Sequence, residues 1–216
     1  MIQAVVFDMD GLLVDSEPVW FEARRVLFSR FGMTWTDPDQ ERLMGVRTSV
    51  WVEYVTEKLD GAMTPDDVWR SIVGFMASAY ERGEVRALPG ANEALEHCAG
   101  RYRVGLASGS PRLLIDAALK GADWRRFFEE VVSSDECARG KPAPDVYLAI
   151  MDRLGVPSEA TVVVEDSPAG ILAGKAAGAK AIAVPSSYTA PGNKALPKAD
   201  AVIDSLHSLP KILDLL

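Results

Sequence analysis

The sequence is poor in the residues that staple small folds or ligate soft metals. It holds 2 cysteines, Cys98 and Cys137, and 2 histidines, His97 and His207. Neither pair has metal-ligand spacing, which speaks against a disulfide framework, a zinc site and a histidine-based triad. Oxygen ligands are then the natural expectation for any metal chemistry. No apolar run approaches the ~20 residues a membrane span needs, and the N-terminus has neither a basic segment nor a cleavable apolar one. The chain is therefore expected to be cytoplasmic, with no membrane partner. A Lys/Arg block is also missing. With 31 acidic against 23 basic residues and a net charge of -8, the surface repels polyanions, and a nucleic-acid partner is not expected. Internal repeats and low-complexity segments are absent too.

What the chain does have begins almost at once. Ile2 to Val6 is an apolar run without alternation, which reads as a strand buried on both faces of a parallel sheet. It ends in Phe7-Asp8-Met9-Asp10-Gly11. On an extended chain, side chains two apart share a face, roughly 6 to 7 Å apart. Asp8 and Asp10 are thus expected to flank one small volume at the strand's carboxyl end, where open α/β sheets bind ligands.

After Gly11 the pattern turns helical for some seventy residues. Ser16 is placed to cap a first helix with Glu17 and Pro18 in its opening turn and Val19, Ala23, Val26, Leu27 and Phe31 as its apolar stripe. Further helices are predicted from Pro38 to Met44, around Trp51 to Leu59, and from Thr64 through Tyr80. Residues 15–86 thus read as an inserted helical unit. From Leu88 onward helix and strand alternate, the signature of a parallel sheet with crossover helices. The predicted fold is α/β, a doubly wound (Rossmann-like) parallel sheet built from residues 1–14 and 87–216. A Pro/Gly/Ser-rich loop and a short helix close the chain.

Three polar clusters fall where strands end. Ser108-Gly109-Ser110-Pro111 puts a hydroxyl and a glycine backbone at a helix N-terminus, where free amides and the dipole favour an anion. Ser110 is expected to cap, leaving Ser108 and the Gly109 amide for a phosphate. Lys141 stands between Gly140 and Pro142-Ala143-Pro144, its backbone fixed by prolines. Glu165-Asp166 follows an apolar strand as a second acidic pair. Two carboxylates ~4 Å apart repel by roughly 4 kcal/mol at an effective dielectric of 20, so Asp8, Asp10, Glu165 and Asp166 need a cation between them. All-oxygen ligands suit Mg²⁺, with Lys141 balancing further charge.

Asp8-Met9-Asp10-Gly11, Ser108, Lys141 and Glu165-Asp166, in this order, resemble the four motifs of the haloacid dehalogenase superfamily. The helical insert directly after the first motif resembles the β-phosphoglucomutase-like branch, whose members carry a mobile helical cap. The resemblance spans the whole chain. It implies that Asp8 is the nucleophile that takes a phosphoryl group and Asp10 the general acid and base. It implies phosphate binding by Ser108, Gly109 and Lys141. It implies a Mg²⁺ site made by Asp8, the backbone carbonyl of Asp10, Asp166, and Glu165 through water. The expected activity is a Mg²⁺-dependent phosphatase acting on a small phosphorylated metabolite, a phosphosugar or sugar-alcohol phosphate. The chain is expected to act as a monomer.

The alternatives separate on single residues. A phosphosugar mutase of this branch carries a cap histidine ten residues after the second Asp, where this chain has Trp20. Dehalogenation gives Asp10 no alkoxide to protonate. Phosphonate cleavage needs a cap lysine, and none lies between Glu17 and Phe31. A phosphate-receiving regulatory module also combines acids, Ser/Thr, Lys and Mg²⁺, but its phosphoacceptor lies on a later strand of a shorter chain. Specificity is expected in the insert. Besides Trp20, the turn Gly45-Val46-Arg47-Thr48 offers a glycine that permits close backbone approach and a guanidinium able to bind phosphate or vicinal hydroxyls.

Overall fold

Ala4–Phe7 forms strand β1, with every side chain buried, at the centre of a parallel sheet in the computed structural model, which describes residues 1–186 and 194–216. The partners are β2 (Arg103–Ser108), β3 (Glu130–Ser133), β4 (Thr161–Glu165), β5 (Lys180–Ala183) and β6 (Ala201–Val202), in the order β3-β2-β1-β4-β5-β6. The doubly wound fold is what the alternation in sequence predicts. Strand order reverses direction beside β1, between β1 and β4, which is where such sheets open a crevice at their carboxyl ends. Phe7 pairs with Leu106 and with Val164. The chain positions that follow, Asp8, Ala107 and Glu165, therefore come level across three adjacent strands.

Alternation along β1 explains how the helices divide. Val5 and Phe7 join an apolar cluster with α5 (Ala91–Ala99), α6 (Arg112–Gly121) and α9 (Leu209–Leu213), whereas Ala4 and Val6 join one with α7 (Asp145–Leu154) and α8 (Pro168–Ala176). Successive strand residues point to opposite faces, so a run with no polar alternation is covered by helices on both. The loop expected to be rich in Pro, Gly and Ser falls in part on residues 187–193, outside the described residues. Among the described residues no helix is long and apolar enough to cross a membrane.

The insert comprises α1 (Glu17–Ser29), α2 (Asp37–Arg42), α3 (Thr48–Lys58) and α4 (Pro65–Glu81); α1, α3 and α4, with Trp35 and Leu43 on either side of α2, form a separate apolar cluster that Leu114 of α6 also enters. Its two connections run side by side: the Asp15 amide donates to Arg86 O, and the Leu88 amide to Leu13 O. Helix α1 is turned from the predicted stripe. It buries Trp20, Ala23, Leu27 and Phe28 together with the polar Glu17 and Arg24, while Phe31 is exposed. Ser16 precedes α1 without capping it by its side chain, because its hydroxyl is used elsewhere, as described below.

Within the insert, Asp39 holds α2 and α3 together. It completes a capping box with Thr36 and accepts from Tyr54 Oη at 2.6 Å and from Lys58. Burial alone would raise its pKa, but the bonds from Lys58, Thr36 and Tyr54 outweigh it and hold the carboxyl well below the usual range. A depressed carboxyl adds stability that is complete above its unfolded pKa of about 4 and is lost as pH falls toward the folded value. Asp39→Ala is thus expected to lose about 1–3 kcal/mol at pH 7. In urea titrations the gap from wild type should close as pH is lowered below about 4; a gap independent of pH would show that the charge on Asp39 does not stabilise the insert.

Candidate active site

The carboxyl ends of β1, β2 and β4 converge on one buried ammonium. Lys141 Nζ donates to Asp8 Oδ1 at 2.5 Å, to Glu165 Oε1 at 2.6 Å and to the Ala107 carbonyl at 3.1 Å. These three bonds use all three N–H groups of the ammonium. Glu165 is itself fully engaged: Tyr147 Oη donates to it at 2.5 Å, and the amide and hydroxyl of Ser167 donate to its other oxygen. Glycine makes room for this arrangement. A Cβ on Gly170, in the first turn of α8, would stand 1.7 Å from Glu165 Oε1, and one on Gly11 would stand 2.2 Å from Asp166 Oδ2. Gly11 also has φ +75, a conformation that glycine adopts without strain.

Asp8, Glu165 and Asp166 bring carboxylate oxygens within 4.8 Å of one another, all buried. Lys141 offsets one of these charges. Burial and the neighbouring carboxylates push Asp8 and Asp166 upward in pKa, Lys141 opposing in both cases. The ammonium is itself held protonated, since Asp8 and Glu165 outweigh the burial that would lower it. Three carboxylates against one ammonium leave a surplus of negative charge, and this hard-oxygen donor set fits a divalent cation.

Asp10 faces the other way. The strand ends at Phe7, so the two aspartates are not consecutive residues on one face of an extended chain. Asp10 Oδ1 accepts from Ser16 Oγ at 2.6 Å and Trp20 Nε1 at 3.2 Å, and Oδ2 accepts from Ser110 Oγ at 2.8 Å and Ser108 Oγ at 3.2 Å. Two donors come from the insert side and two from the loop after β2. Ser110 therefore does not cap α6, whose N-cap is Pro111; its hydroxyl serves Asp10. Ser108 is fully buried, accepting from the Ser110 amide as well. Ser133 on β3 fixes the same loop by donating to Ser110 O at 2.7 Å.

A narrow cleft lies over this array, lined by Asp8, Asp10, Gly109 and Ser110 on the sheet side and by Glu17, Trp20, Arg24, Gly45 and Trp51 among insert residues. Gly45 has φ +70, and a Cβ there would come 2.8 Å from Ser167 Oγ; one on Gly109 would meet the Val46 carbonyl at 3.0 Å. The glycine turn thus lets the insert backbone descend onto the sheet end. Arg47 is directed away from the cleft. Its Nη1 donates to Ala138 O at 2.8 Å and Cys137 O at 3.2 Å, and its stem packs on Gly140. Beside it, the Thr48 amide donates to Asp135 Oδ1 at 3.2 Å. Tyr147, Ser16, Glu17 and Arg24 were not singled out as site residues by sequence. Tyr147 sits on an ordinary apolar helix stripe, and only the charges within α1's buried face give Glu17 and Arg24 away.

Known proteins are similar to this one over most of the chain. Phosphorylated carbohydrates phosphatase of Thermotoga maritima is 33% identical over 84% of this chain and 84% of its own length. Hexitol phosphatase B of Escherichia coli K12 is 33% identical over 96% and 94%. The crystal structure of CbbY from Rhodobacter sphaeroides in complex with phosphate superposes with a TM-score of 0.85 at 25% identity, covering 97% of this chain and 96% of that one. Residues 5–184, from β1 past the acidic pair after β4, match the haloacid dehalogenase-like hydrolases. With the strand order, the buried acid-lysine cluster and this match in agreement, the chain belongs to the haloacid dehalogenase-like hydrolase family.

Proposed function

We propose that the protein is a Mg²⁺-dependent phosphatase that hydrolyses the phosphate monoester of a small sugar or sugar alcohol through an aspartyl phosphate on Asp8. The observation that carries this reading is the pair of differently held carboxylates. Asp8 is pinned by a lysine at the strand ends, and Asp10 is pinned by four donors across the cleft mouth. Phosphatases acting on phosphorylated carbohydrates and hexitols among its relatives support the same substrate class.

In this mechanism an Asp8 oxygen attacks phosphorus as the bond to the leaving oxygen breaks, and Asp10 gives its proton to the departing alkoxide. Water then attacks the aspartyl phosphate. Asp10 takes its proton back from that water, Asp8 is released, and orthophosphate leaves. Lys141 keeps the attacking carboxylate in one orientation, the Gly109 backbone at the cleft wall holds phosphate oxygens, and Ser108, expected from sequence to bind phosphate, instead donates its hydroxyl to Asp10 beneath them. Mg²⁺ would be held by Asp8, Asp166 and the Asp10 carbonyl, with Glu165 acting through water, and would neutralise charge on the phosphate. Trp20 stands against Asp10 where a mutase of this branch has histidine. An indole N–H has no proton to exchange with a sugar hydroxyl, so transfer between sugars is not favoured.

Three outcomes test this reading. Asp8→Asn should abolish phosphate release from every ester while the thermal melt stays near wild type, because an amide is a poor nucleophile. Asp10→Asn should cost about 10² to 10⁴-fold in kcat and still allow a burst of phosphoenzyme from an ester with a good leaving group; steady turnover by folded Asp8→Asn would refute the assignment. Removal of divalent cations should stop turnover and Mg²⁺ should restore it, since the acidic cluster otherwise repels a dianion; unimpaired turnover in excess chelator is the contrary result. Arg47 clasps the insert to the loop after β3 and does not line the cleft. Arg47→Ala is therefore expected to lower kcat/KM by a similar factor, about 10-fold, for sugar phosphates and for p-nitrophenyl phosphate, as the loss of a charged hydrogen bond predicts. A loss confined to sugar phosphates would instead put Arg47 on the substrate.

A further inference from the structure

A second recess lies against the two connections that join the insert to the core, and it shares no lining residue with the cleft over Asp8 and Asp10. It measures about 300 Å³, at the small end of the range for ligand pockets. Val14 of the first connection and Ala87 of the second, which pair as an isolated antiparallel bridge, form one wall. Ala118 and Gly121 in the last turns of α6, with Ala122 after them, form another. At spacings of three and four residues these positions share a helix face. All three are small, and a Cβ on Gly121 would meet nothing within 4 Å. Larger apolar side chains here would close the gap and gain contacts, so packing alone does not explain it.

Three polar residues from three different segments border the same space. Tyr80, near the end of α4, packs against the apolar clusters of both insert and core, yet its hydroxyl is buried with no hydrogen-bond partner. Asn92, in the first turn of α5, has its Oδ1 fixed by Trp124 Nε1 at 2.6 Å, which leaves its NH₂ to donate elsewhere. Arg86 of the second connection is exposed, and its guanidinium makes no hydrogen bond or ion pair with the described residues. It is also the one charged residue among the described residues that line the recess. A guanidinium, an amide NH₂ and a phenol beside apolar walls match a carboxylate carried on a compact apolar body.

We infer that this recess binds a small monocarboxylate with an aromatic or branched aliphatic body, and that binding ties the insert to the core at its two connections. The carboxylate accepts from Arg86, Asn92 and the Tyr80 hydroxyl, and the body lies on Val14, Val85 and the small face of α6. A phosphate ester is disfavoured, because one exposed guanidinium compensates a dianion poorly and the rest of the wall is apolar. The occupant meets α4, both connections, α5 and α6 at once, so it favours one placement of the insert over others. That placement orients Asp10 through Ser16 and Trp20, and occupancy thus reaches the reaction without entering the cleft.

The probe is p-fluorobenzoate, titrated into the full chain and followed by fluorine NMR with and without orthophosphate. Saturable binding with a Kd unchanged by orthophosphate is expected, and p-fluorobenzyl alcohol, the neutral analogue, should bind at least tenfold more weakly. Arg86→Gln should weaken binding of the acid about tenfold, as the loss of a charged hydrogen bond predicts, and leave that of the alcohol unchanged. Gly121→Leu, which fills open space at the end of α6, should abolish binding of both. The Asp15 and Leu88 amides bond across the two connections. With the acid at ten times its Kd, their hydrogen exchange should slow about tenfold. No saturable binding, displacement by orthophosphate, or wild-type affinity in Arg86→Gln and Gly121→Leu would each overturn the inference. If Gly121→Leu does not fold, Arg86→Gln at the exposed rim decides alone. Exchange at Asp15 and Leu88 that stays unchanged under saturated binding would overturn the tie between insert and core.

Discussion

One buried ammonium governs the sheet end. Lys141 is desolvated and joins β1 through Asp8, β2 through the Ala107 carbonyl and β4 through Glu165. Taking an ion of this kind out of water costs several kcal/mol, and the cost is offset only when each of its donors is met. The three partners come within reach because Phe7 is in register with both Leu106 and Val164. A slip of one residue in either pairing would turn a carboxylate away and leave a lysine unpaired inside the protein. Register and charge therefore enforce each other. Asp166 lies beside Asp8 and Glu165 in the same buried carboxylate group, which is how a structural ion pair comes to border a cation site.

Asp10 carries the second constraint, because its donors belong to different parts of the chain. Ser108 and Ser110 follow β2, whereas Ser16 and Trp20 belong to the start of the insert. With Oδ1 bonded from the insert side and Oδ2 from the loop after β2, the orientation of Asp10 depends on the insert lying against the sheet. The clasp from Arg47 to the carbonyls of residues 137 and 138 and the descent of Gly45 onto Gly109 act in the same direction. Position of the insert and orientation of Asp10 are thereby coupled through few contacts, each short-range. A closing element that completes a site when it docks excludes water at the same moment.

Much of this was legible in the sequence because the rules that apply are local. Unbroken β-branched runs require cover on both faces, so β1, β2 and β4 and their acidic or hydroxyl ends could be read in order. Charges gathered at strand ends require compensation, which pointed to Lys141. The sequence misled where a residue had a local and a distant option. Ser16 and Ser110 both precede helices and fit the pattern of caps, but a hydroxyl bonded to a carboxylate gains more than one bonded to an amide. Their acceptor, Asp10, is six residues from one and a hundred from the other, and no local rule supplies it. Arg47 was placed over the ligand by its neighbours in the turn, yet the carbonyls after β3 take its guanidinium. Tyr147 lay hidden in an apolar helix stripe, its hydroxyl reaching Glu165 at 2.5 Å.

The face of α1 shows what kind of misreading carries information. Apolar periodicity alone selects Val19, Ala23, Val26, Leu27 and Phe31, while the structure buries Glu17, Trp20, Ala23, Arg24, Leu27 and Phe28. The helix turns its polar residues Glu17 and Arg24 inward, and Phe31 lies beyond its end, in the turn after the C-cap Arg30, where it stays 41% exposed. Burying Glu17 and Arg24 in place of apolar side chains forgoes roughly 25 cal/mol for each Å² of apolar surface and desolvates two charges. Contacts of Arg24 with the Trp20 and Trp51 rings, Gln40 bonded to both Arg24 and Glu17, and the bond from Trp20 to Asp10 offset part of that cost. What they do not offset is the buried Nε of Arg24, a donor pointing at no acceptor within the protein. Local patterns follow the core in most of the chain, and on α1 they fail on the face that lines the cleft.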